Sequence, residues 1–348
     1  MTFMNTDYKL IEKYRTEIMG FAALCIFVFH GVTNTFYYAF DAHPLFAYIC
    51  RIGFFGVDIF FFLSGDGLMH SLEHNDLKSY YLRRISRVYF PFFAGGLMQM
   101  FIYRLEPVEF VKRITCISFY TESIYSLLWF VPAILTIYLV FPLYHKLMSL
   151  FKNKAAFIIL TIVIWYMLEM IFRGSLSSLF GFFNRIPIFL MGCLYGAKQE
   201  KEELSLEKWI AALAVTAAGL YSLYLVEYKS VLYILPASDC AIPTFLVAVS
   251  LPYVLAGIME RFEKSAVIGF IRKIAVFFGM MSLEFYCVQE NFVVLYIAKL
   301  GLKLLPGVML LLIFASSVAA GYVLYLVNSL LMKLIRKGCS QKKSGSGS

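Results

Sequence analysis

The stretch FAALCIFVFHGVTN, residues 21–34, has the composition of the middle of a membrane helix, and it decides the class of fold. Nine apolar residues precede His30 in it. A polar side chain inside a bilayer is costly unless it is paired or solvated. The stretch therefore predicts a transmembrane helix that carries an imidazole, either because packing tolerates it there or because the protein needs its chemistry.

The composition extends this prediction to the whole chain. Of 348 residues, 61% are hydrophobic, 18% are aromatic and only 15% are charged, with a mean hydropathy of +0.75. A soluble domain averages about 25% charged residues, and one helical span needs ~20 apolar residues. We therefore expect an all-α integral membrane protein with about ten transmembrane helices. The ten apolar runs cover residues 18–38, 48–71, 88–104, 125–149, 155–172, 179–197, 208–226, 231–259, 274–298 and 305–335.

The distribution of lysine and arginine predicts the orientation. With the amino terminus on the cytoplasmic side, 22 basic residues fall on that side and eight fall in outer loops, while Arg185 lies within a run. Lys and Arg are enriched in cytoplasmic loops, so both termini are predicted to be cytoplasmic, in a bacterial cytoplasmic membrane. The net charge of +9 is spread in small groups between the runs. This spacing suits lipid headgroups, and no nucleic-acid partner is expected.

One domain is predicted. Residues 1–338 contain no repeat or linker and form a single transmembrane domain, and residues 339–348 are a tail whose Ser/Gly end is typical of an expression tag. The seven cysteines are scattered, so neither a disulfide framework nor a metal site is expected. Residues 105–124 are too polar to span and predict an amphipathic helix or lid. The run 231–259 contains three prolines and should kink or begin with a re-entrant piece.

Charged side chains inside the apolar runs predict a central polar cavity. Asp58 stands in IGFFGVDIFFFLSGDGLMH, residues 52–70, where the SGDG that follows could narrow or break the helix. One such charge can be structural, but several across different runs favour a shared cavity. The titratable side chains concerned are His30, Asp58, Glu169, Arg185 and Glu284.

Three arginines in SYYLRRISRVYFPFF, residues 79–93, lie where the chain re-enters the membrane on the cytoplasmic side. One interpretation is that Arg83, Arg84 and Arg87 form a positive-inside anchor and have no further role. Arg84 and Arg87 are also three residues apart, on one face of a helix, where two guanidinium groups can grip phosphate. The pattern leaves both interpretations open.

Other polar residues also have a structural alternative. Trp129, at the outer start of the fourth run, can be an aromatic-belt residue. Glu169 and Arg173 are spaced for an intrahelical ion pair. The ninth run contains MMSLEFYCVQENFVVLY, residues 280–296, which brings Glu284 and Gln289 into the membrane.

Six blocks in order resemble the membrane-bound acyltransferase family 3. They are VFHG (28–31), GFFGVDIFFFLSG (53–65), RRISRVYFP (83–91), LLWFVPAILTIYLVFPL (127–143), RIPIFLMGCLYG (185–196) and SLEFYCVQE (282–290). Members of this family have ten transmembrane helices and move acetyl or other short acyl groups from cytoplasmic acyl-coenzyme A to sugar hydroxyls of envelope glycans. The resemblance implies an O-acyltransferase with acyl-coenzyme A, acetyl-coenzyme A in the simplest case, as donor. A stand-alone member is expected, and a homo-oligomer is left open.

The family motifs carry over with two departures. In the first helix the family has a basic residue, ten residues and then a histidine; His30 matches the histidine, but Met19 stands at the basic position. Arg15 lies one turn earlier and could reach a similar place. The family's Arg-x-x-Arg matches Arg84 and Arg87, whereas Gln289 stands where some members have a histidine.

Residues and resemblance together predict acyl transfer across the bilayer. His30, ~22 Å along a helix from Arg15, would take the proton of an acceptor hydroxyl as general base, oriented by Asp58 or Glu169. A covalent acyl-histidine is the other possible course. A transporter or exporter using the same cavity is the alternative from another class. The expected donor-binding residues are Arg15, Arg83, Arg84 and Arg87, and the expected acceptor-binding residues are Trp129, Arg185, Glu284 and Gln289.

Overall fold

The computed structural model describes residues 9–33, 44–73, 76–122, 128–172, 179–197, 204–227, 241–296, 300–301 and 304–344, with side chains up to residue 335. The regular structure of these residues is helical throughout, and none of them lies in a strand. The helices are α1 Leu10–Lys13, α2 Arg15–Val28, α3 Pro44–Arg51, α4 Phe55–Glu73, α5 Leu77–Tyr103, α6 Pro107–Ile114, α7 Ile117–Thr121, α8 Phe130–Ser149, α9 Lys154–Phe172, α10 Phe180–Phe183, α11 Ile186–Ala197, α12 Leu206–Glu227, α13 Ala241–Arg261, α14 Ala266–Met280, α15 Ser282–Val294 and α16 Pro306–Ser344.

Long apolar helices confirm an all-helical membrane protein. Within the described residues, six helical stretches are long and apolar enough to cross a bilayer, and a bent pair, α14 with α15, raises the number to seven. Ten spans and cytoplasmic termini stay predictions. The six stretches are Tyr48–Leu72, Phe130–Ser149, Lys154–Phe172, Leu206–Glu227, Ala241–Arg261 and Gly307–Ile335.

The helix α4 lies at the centre of the bundle. The span that contains it is 78% buried, whereas only 17% of the span formed by α9 is buried. It packs against α2, α11 and α13. Its isolated charges therefore face protein, and the exposed apolar side chains of α9 are placed to face lipid tails.

Glycines allow α4 and α11 to cross closely. A Cβ at Gly65 would overlap the carbonyl oxygen of Phe189, and one at Gly192 would overlap the carbonyl oxygen of Phe62. Small residues of this kind let membrane helices approach to backbone contact. The break expected at SGDG is therefore wrong: α4 continues through residues 64–67, and its Gly65 serves packing.

The ninth apolar run is bent in the structure. It was expected to span from 274 to 298, but α14 ends at Met280, and α15 leaves it at 79°. Side chains then fix α15 at both ends. Glu284 accepts a hydrogen bond from Asn328 of α16 at 2.6 Å, and Asn291 donates to the carbonyl of Gly95 in α5 at 3.2 Å.

Two other expectations concern proline-rich and polar segments. The helix α13 runs through Pro252 without interruption, and the part of its run before Ala241 lies outside the described residues. The polar segment 105–124 contains two short helices, α6 and α7, and α6 buries none of its residues. Its position on the surface agrees with the expected amphipathic helix.

Charged residues join α1, α2, α13 and α14 near the amino terminus. The Lys13 ammonium and the Tyr14 hydroxyl both donate to Glu260, at 2.6 and 2.8 Å. Burial and this hydrogen bond raise the pKa of Tyr14 to about 12, so its phenol stays neutral. Arg272 pairs with Glu17 at 3.1 Å and lies over the Tyr14 ring. This cluster holds the first turn of α2 in place.

Candidate functional site

His30 lies in a turn of π-helix, Phe29–Thr33, that extends α2. Turns of this kind are rare inside helices and are frequent at functional sites. The side chain of His30 is partly buried, and its Nδ1 lies 3.4 Å from Nε2 of Gln289 in α15. The Tyr286 ring, one turn before Gln289, is centred 6.5 Å from the imidazole. The bend before α15 is what brings these side chains to the end of α2.

A second polar group lies at the beginning of α4. Asp58 is only 1% exposed and pairs with Nε of Arg185 at 3.2 Å. The Arg185 guanidinium lies over the ring of Trp129, 5.0 Å from its centre. Tyr166 of α9 lies near both Asp58 and Glu169, within the range of an electrostatic interaction. Oδ2 of Asp58 is buried and accepts no hydrogen bond from the residues that the structure describes, so it keeps an unused acceptor.

Two guanidinium groups contact the same part of α4, further along this helix from Asp58. Arg15 donates to Oδ2 of Asp66 at 2.8 Å and to the carbonyl of Leu63 at 2.6 Å. Arg84 of α5 donates to the carbonyl of Gly67 at 3.1 Å. Asp66 lies eight residues, or ~12 Å, along α4 from Asp58. The polar residues of this bundle therefore lie at two levels. One level contains His30, Asp58 and Arg185, and the other contains Arg15, Asp66 and Arg84.

The other arginines of α5 lie close by. Arg83 and Arg87 are exposed, and the carbonyl of Arg87 accepts a hydrogen bond from Asn328 at 3.2 Å. Asn328 also donates a hydrogen bond to Glu284, which lies near enough to Arg87 for an electrostatic attraction. Glu284, which was predicted to bind the acceptor, thus lies beside the arginines and not beside His30.

One trio of side chains could hold a cation. The ligand atoms of Glu12, Asp66 and His70 lie within 4.8 Å of one another. However, Asp66 already pairs with Arg15, and Glu12 lies 3.6 Å from the Lys9 ammonium. The two neighbouring positive charges oppose a divalent cation, so the absence of a metal stays our prediction.

The comparison with protein families decides the class of the protein. The family model for the acyltransferase domain of acyltransferase 3 matches residues 20–326, which is most of the chain. The chain belongs to this acyltransferase family. No match was found among curated proteins or among solved structures.

In this acyltransferase, site residues that were predicted from the sequence lie at both of the levels described above. His30 with Gln289, and Asp58 with Arg185 and Trp129, lie towards one end of the bundle. Arg15 and Arg84 lie towards the other. The catalytic and binding roles assigned to these residues, and to Glu169, Arg83, Arg87 and Glu284, stay predictions.

Two contacts differ from the sequence-based interpretation. His30 contacts Gln289, whereas Asp58 pairs with Arg185. Asp66 was treated only as part of a helix break, although it forms the ion pair with Arg15. The signal for Asp66 was present in the sequence, because it is a carboxylate inside an apolar run, as Asp58 is.

Proposed function

We propose that this acyltransferase moves an acyl group, acetyl in the simplest case, from cytoplasmic acyl-coenzyme A to a hydroxyl of an envelope glycan. Its setting would be the bacterial cytoplasmic membrane, with ten spans, both termini cytoplasmic and a central polar cavity. The observation that carries the proposal is the separation of two guanidinium groups, those of Arg15 and Arg84, from the imidazole of His30 at two levels of the bundle. An anionic donor and a neutral acceptor need such separate sites.

The donor would be held by its phosphates. Arg15 and Arg84 approach the same turn of α4, and Asp66 neutralises only one of their two charges. Guanidinium groups bind phosphate through charge-assisted hydrogen bonds. Arg83 and Arg87 lie exposed on the same end of α5, where they can extend the contact. The pantetheine arm of the donor would then lead towards His30.

The acceptor would meet the thioester at His30. The imidazole takes the proton from the acceptor hydroxyl while its oxygen attacks the thioester carbonyl. The new carbon–oxygen ester bond forms, the carbon–sulfur bond breaks, and the imidazolium returns the proton to the coenzyme A thiolate. Trp129, Asp58 and Arg185 supply an aromatic face and hydrogen-bonding groups of the kind that bind sugars. Membership of an acyltransferase family favours this reaction over transport.

Substitution of His30 tests the proposed reaction. His30→Ala should insert, bind acyl-coenzyme A normally and lose acyl transfer by at least ~10²-fold. His30→Gln keeps a polar side chain but accepts no proton, and it should fail as well. The assay measures transfer of radiolabelled acetyl from acetyl-coenzyme A to glycan acceptors, together with donor binding to the purified protein.

His145→Gln, a change on α8 outside both levels, is the matched control and should keep transfer. Transfer at the wild-type rate by His30→Gln would exclude His30 as the base. Purified protein that binds no acyl-coenzyme A would exclude the donor.

A further inference from the structure

We propose that Gln289 is a positioning residue that selects the tautomer of His30. Its carbonyl Oε1 accepts a hydrogen bond from Nδ1–H, so that Nε2 keeps the lone pair that receives the proton of the acceptor. This inference rests on the proposed role of His30 as general base. It assigns a function to the residue that stands where some relatives have a histidine.

A general base at His30 requires a partner that fixes which nitrogen of the neutral imidazole carries the proton. A neutral imidazole carries one N–H and one lone pair, and the hydrogen bond at one nitrogen decides which nitrogen keeps the proton. Nδ1 is the nitrogen that faces Gln289, at 3.4 Å. If Gln289 donated to Nδ1, the proton would lie on Nε2, and neither nitrogen could act as base towards the acceptor.

The surroundings of the amide favour the accepting orientation. The two ends of an amide have nearly the same shape, so the hydrogen-bond network decides which end faces a partner. Gln289 is 1% exposed. When its Nε2 faces the imidazole, its Oε1 is buried and receives no hydrogen bond from the described part of the chain. A half-turn of the amide gives Oε1 the Nδ1–H. The amide nitrogen then needs an acceptor, which an oxygen of a substrate bound beside His30 supplies.

The helix that carries Gln289 is held firmly enough for this role. Glu284 and Asn291, on either side of Gln289 in α15, bind Asn328 of α16 and the carbonyl of Gly95 in α5. A Cβ at Gly95 would lie 2.7 Å from the Cys287 carbonyl, so α5 and α15 are in close contact here. The distance between Gln289 and His30 is thus set by packing and not by a mobile side chain alone.

Two substitutions separate an accepting from a donating role. Gln289→Glu keeps an acceptor of the same length and removes the donor, so it should retain most of kcat. Gln289→Met keeps the length but removes the hydrogen bond, so kcat should fall at least about tenfold, as it does when a catalytic histidine loses its orienting partner. KM for acetyl-coenzyme A should be unchanged in both, because the arginines lie at the other level.

Nitrogen-15 NMR of histidine-labelled wild-type protein reads the tautomer directly and does not depend on a folded Gln289 variant. The signals of His30 are those lost in His30→Gln, and they should show a protonated Nδ1 and an unprotonated Nε2. A protonated Nε2, an unchanged kcat in Gln289→Met, or equal losses in both Gln289 variants would overturn the inference. Wild-type transfer by His30→Gln would instead overturn the proposed function itself.

Discussion

Arg15 and Arg84 show how single residues place two positive charges beside one turn of α4. A Cβ at Gly67 would lie 2.9 Å from Nη2 of Arg15, so the glycine leaves room for the guanidinium beside α4. Among the residues that the structure describes, Arg84 lies over the Tyr138 ring and donates to one backbone carbonyl of α4. Its positive charge is therefore less neutralised than that of Arg15, which pairs with Asp66.

Removal of Arg84 should weaken donor binding. Arg84→Ala loses charge-assisted hydrogen bonds to phosphate, each worth ~1.5–3 kcal/mol, which corresponds to roughly a ten- to hundredfold rise in KM for acyl-coenzyme A. Arg84 is a cleaner test than Arg15, because loss of Arg15 would leave buried Asp66 unpaired and destabilise the fold. Lys78→Ala removes an equal charge from the exposed start of α5 and serves as control.

A Lys78→Ala variant should keep the KM of the wild-type protein, which would show that the effect belongs to the site. Donor binding that is unchanged in the Arg84→Ala, Arg87→Ala double variant would return these arginines to the role of a positive-inside anchor. Isothermal titration with coenzyme A alone would report the phosphate contribution directly.

At the residue scale, isolation in an apolar run identifies candidate side chains but does not predict which of them are in contact. His30 and Asp58 were found because charged groups in such runs are costly. The contact between His30 and Gln289 could not be predicted, because it joins residues 259 positions apart across a bend. The ion pair between Arg15 and Asp66 depends likewise on the antiparallel register of α2 and α4.

At the scale of helices, the crossing of α4 and α11 positions both levels of polar residues. Asp58 and Asp66 lie on α4, and Arg185 immediately precedes α11. The sequence predicted these helices from their apolar composition. It did not predict the role of the glycines, because the same SGDG pattern fits a helix break as well as close packing. Only the position of Gly192 opposite α4 distinguishes the two.

Gly192→Ala should destabilise the bundle. The added Cβ would overlap the Phe62 carbonyl, and overpacking of this kind costs ~1–3 kcal/mol. We expect a lower midpoint of thermal unfolding in detergent. Gly269→Ala is the matched control, because a Cβ there has no neighbour within 4 Å. That change should leave the midpoint equal or higher, since alanine favours helix by ~1 kcal/mol over glycine. Equal midpoints for both variants would disprove close packing at Gly192.

At the scale of the whole molecule, apolar exposure and basic charge together describe a protein in a bilayer. Helices at the periphery, such as α9 and α16, expose large aliphatic side chains along their length. Within this shell each of the helices α2, α4, α5 and α15 has polar side chains that are buried by protein, among them Glu17, Asp58, Gln99 and Gln289. A donor from one side and an acceptor from the other can meet only if the bundle has the predicted orientation.

Cysteine labelling tests that orientation. In a variant without the seven native cysteines, Lys201→Cys places a thiol between α11 and α12, and Lys229→Cys places one between α12 and α13. Because α12 is long and apolar enough to cross the bilayer, we expect the two thiols on opposite sides. The excess of basic residues predicts that Lys201→Cys is cytoplasmic. A membrane-impermeant maleimide should therefore label Lys229→Cys in intact cells, and Lys201→Cys only after permeabilisation. The reverse pattern would place the arginines on the outer side, where cytoplasmic acyl-coenzyme A cannot reach them.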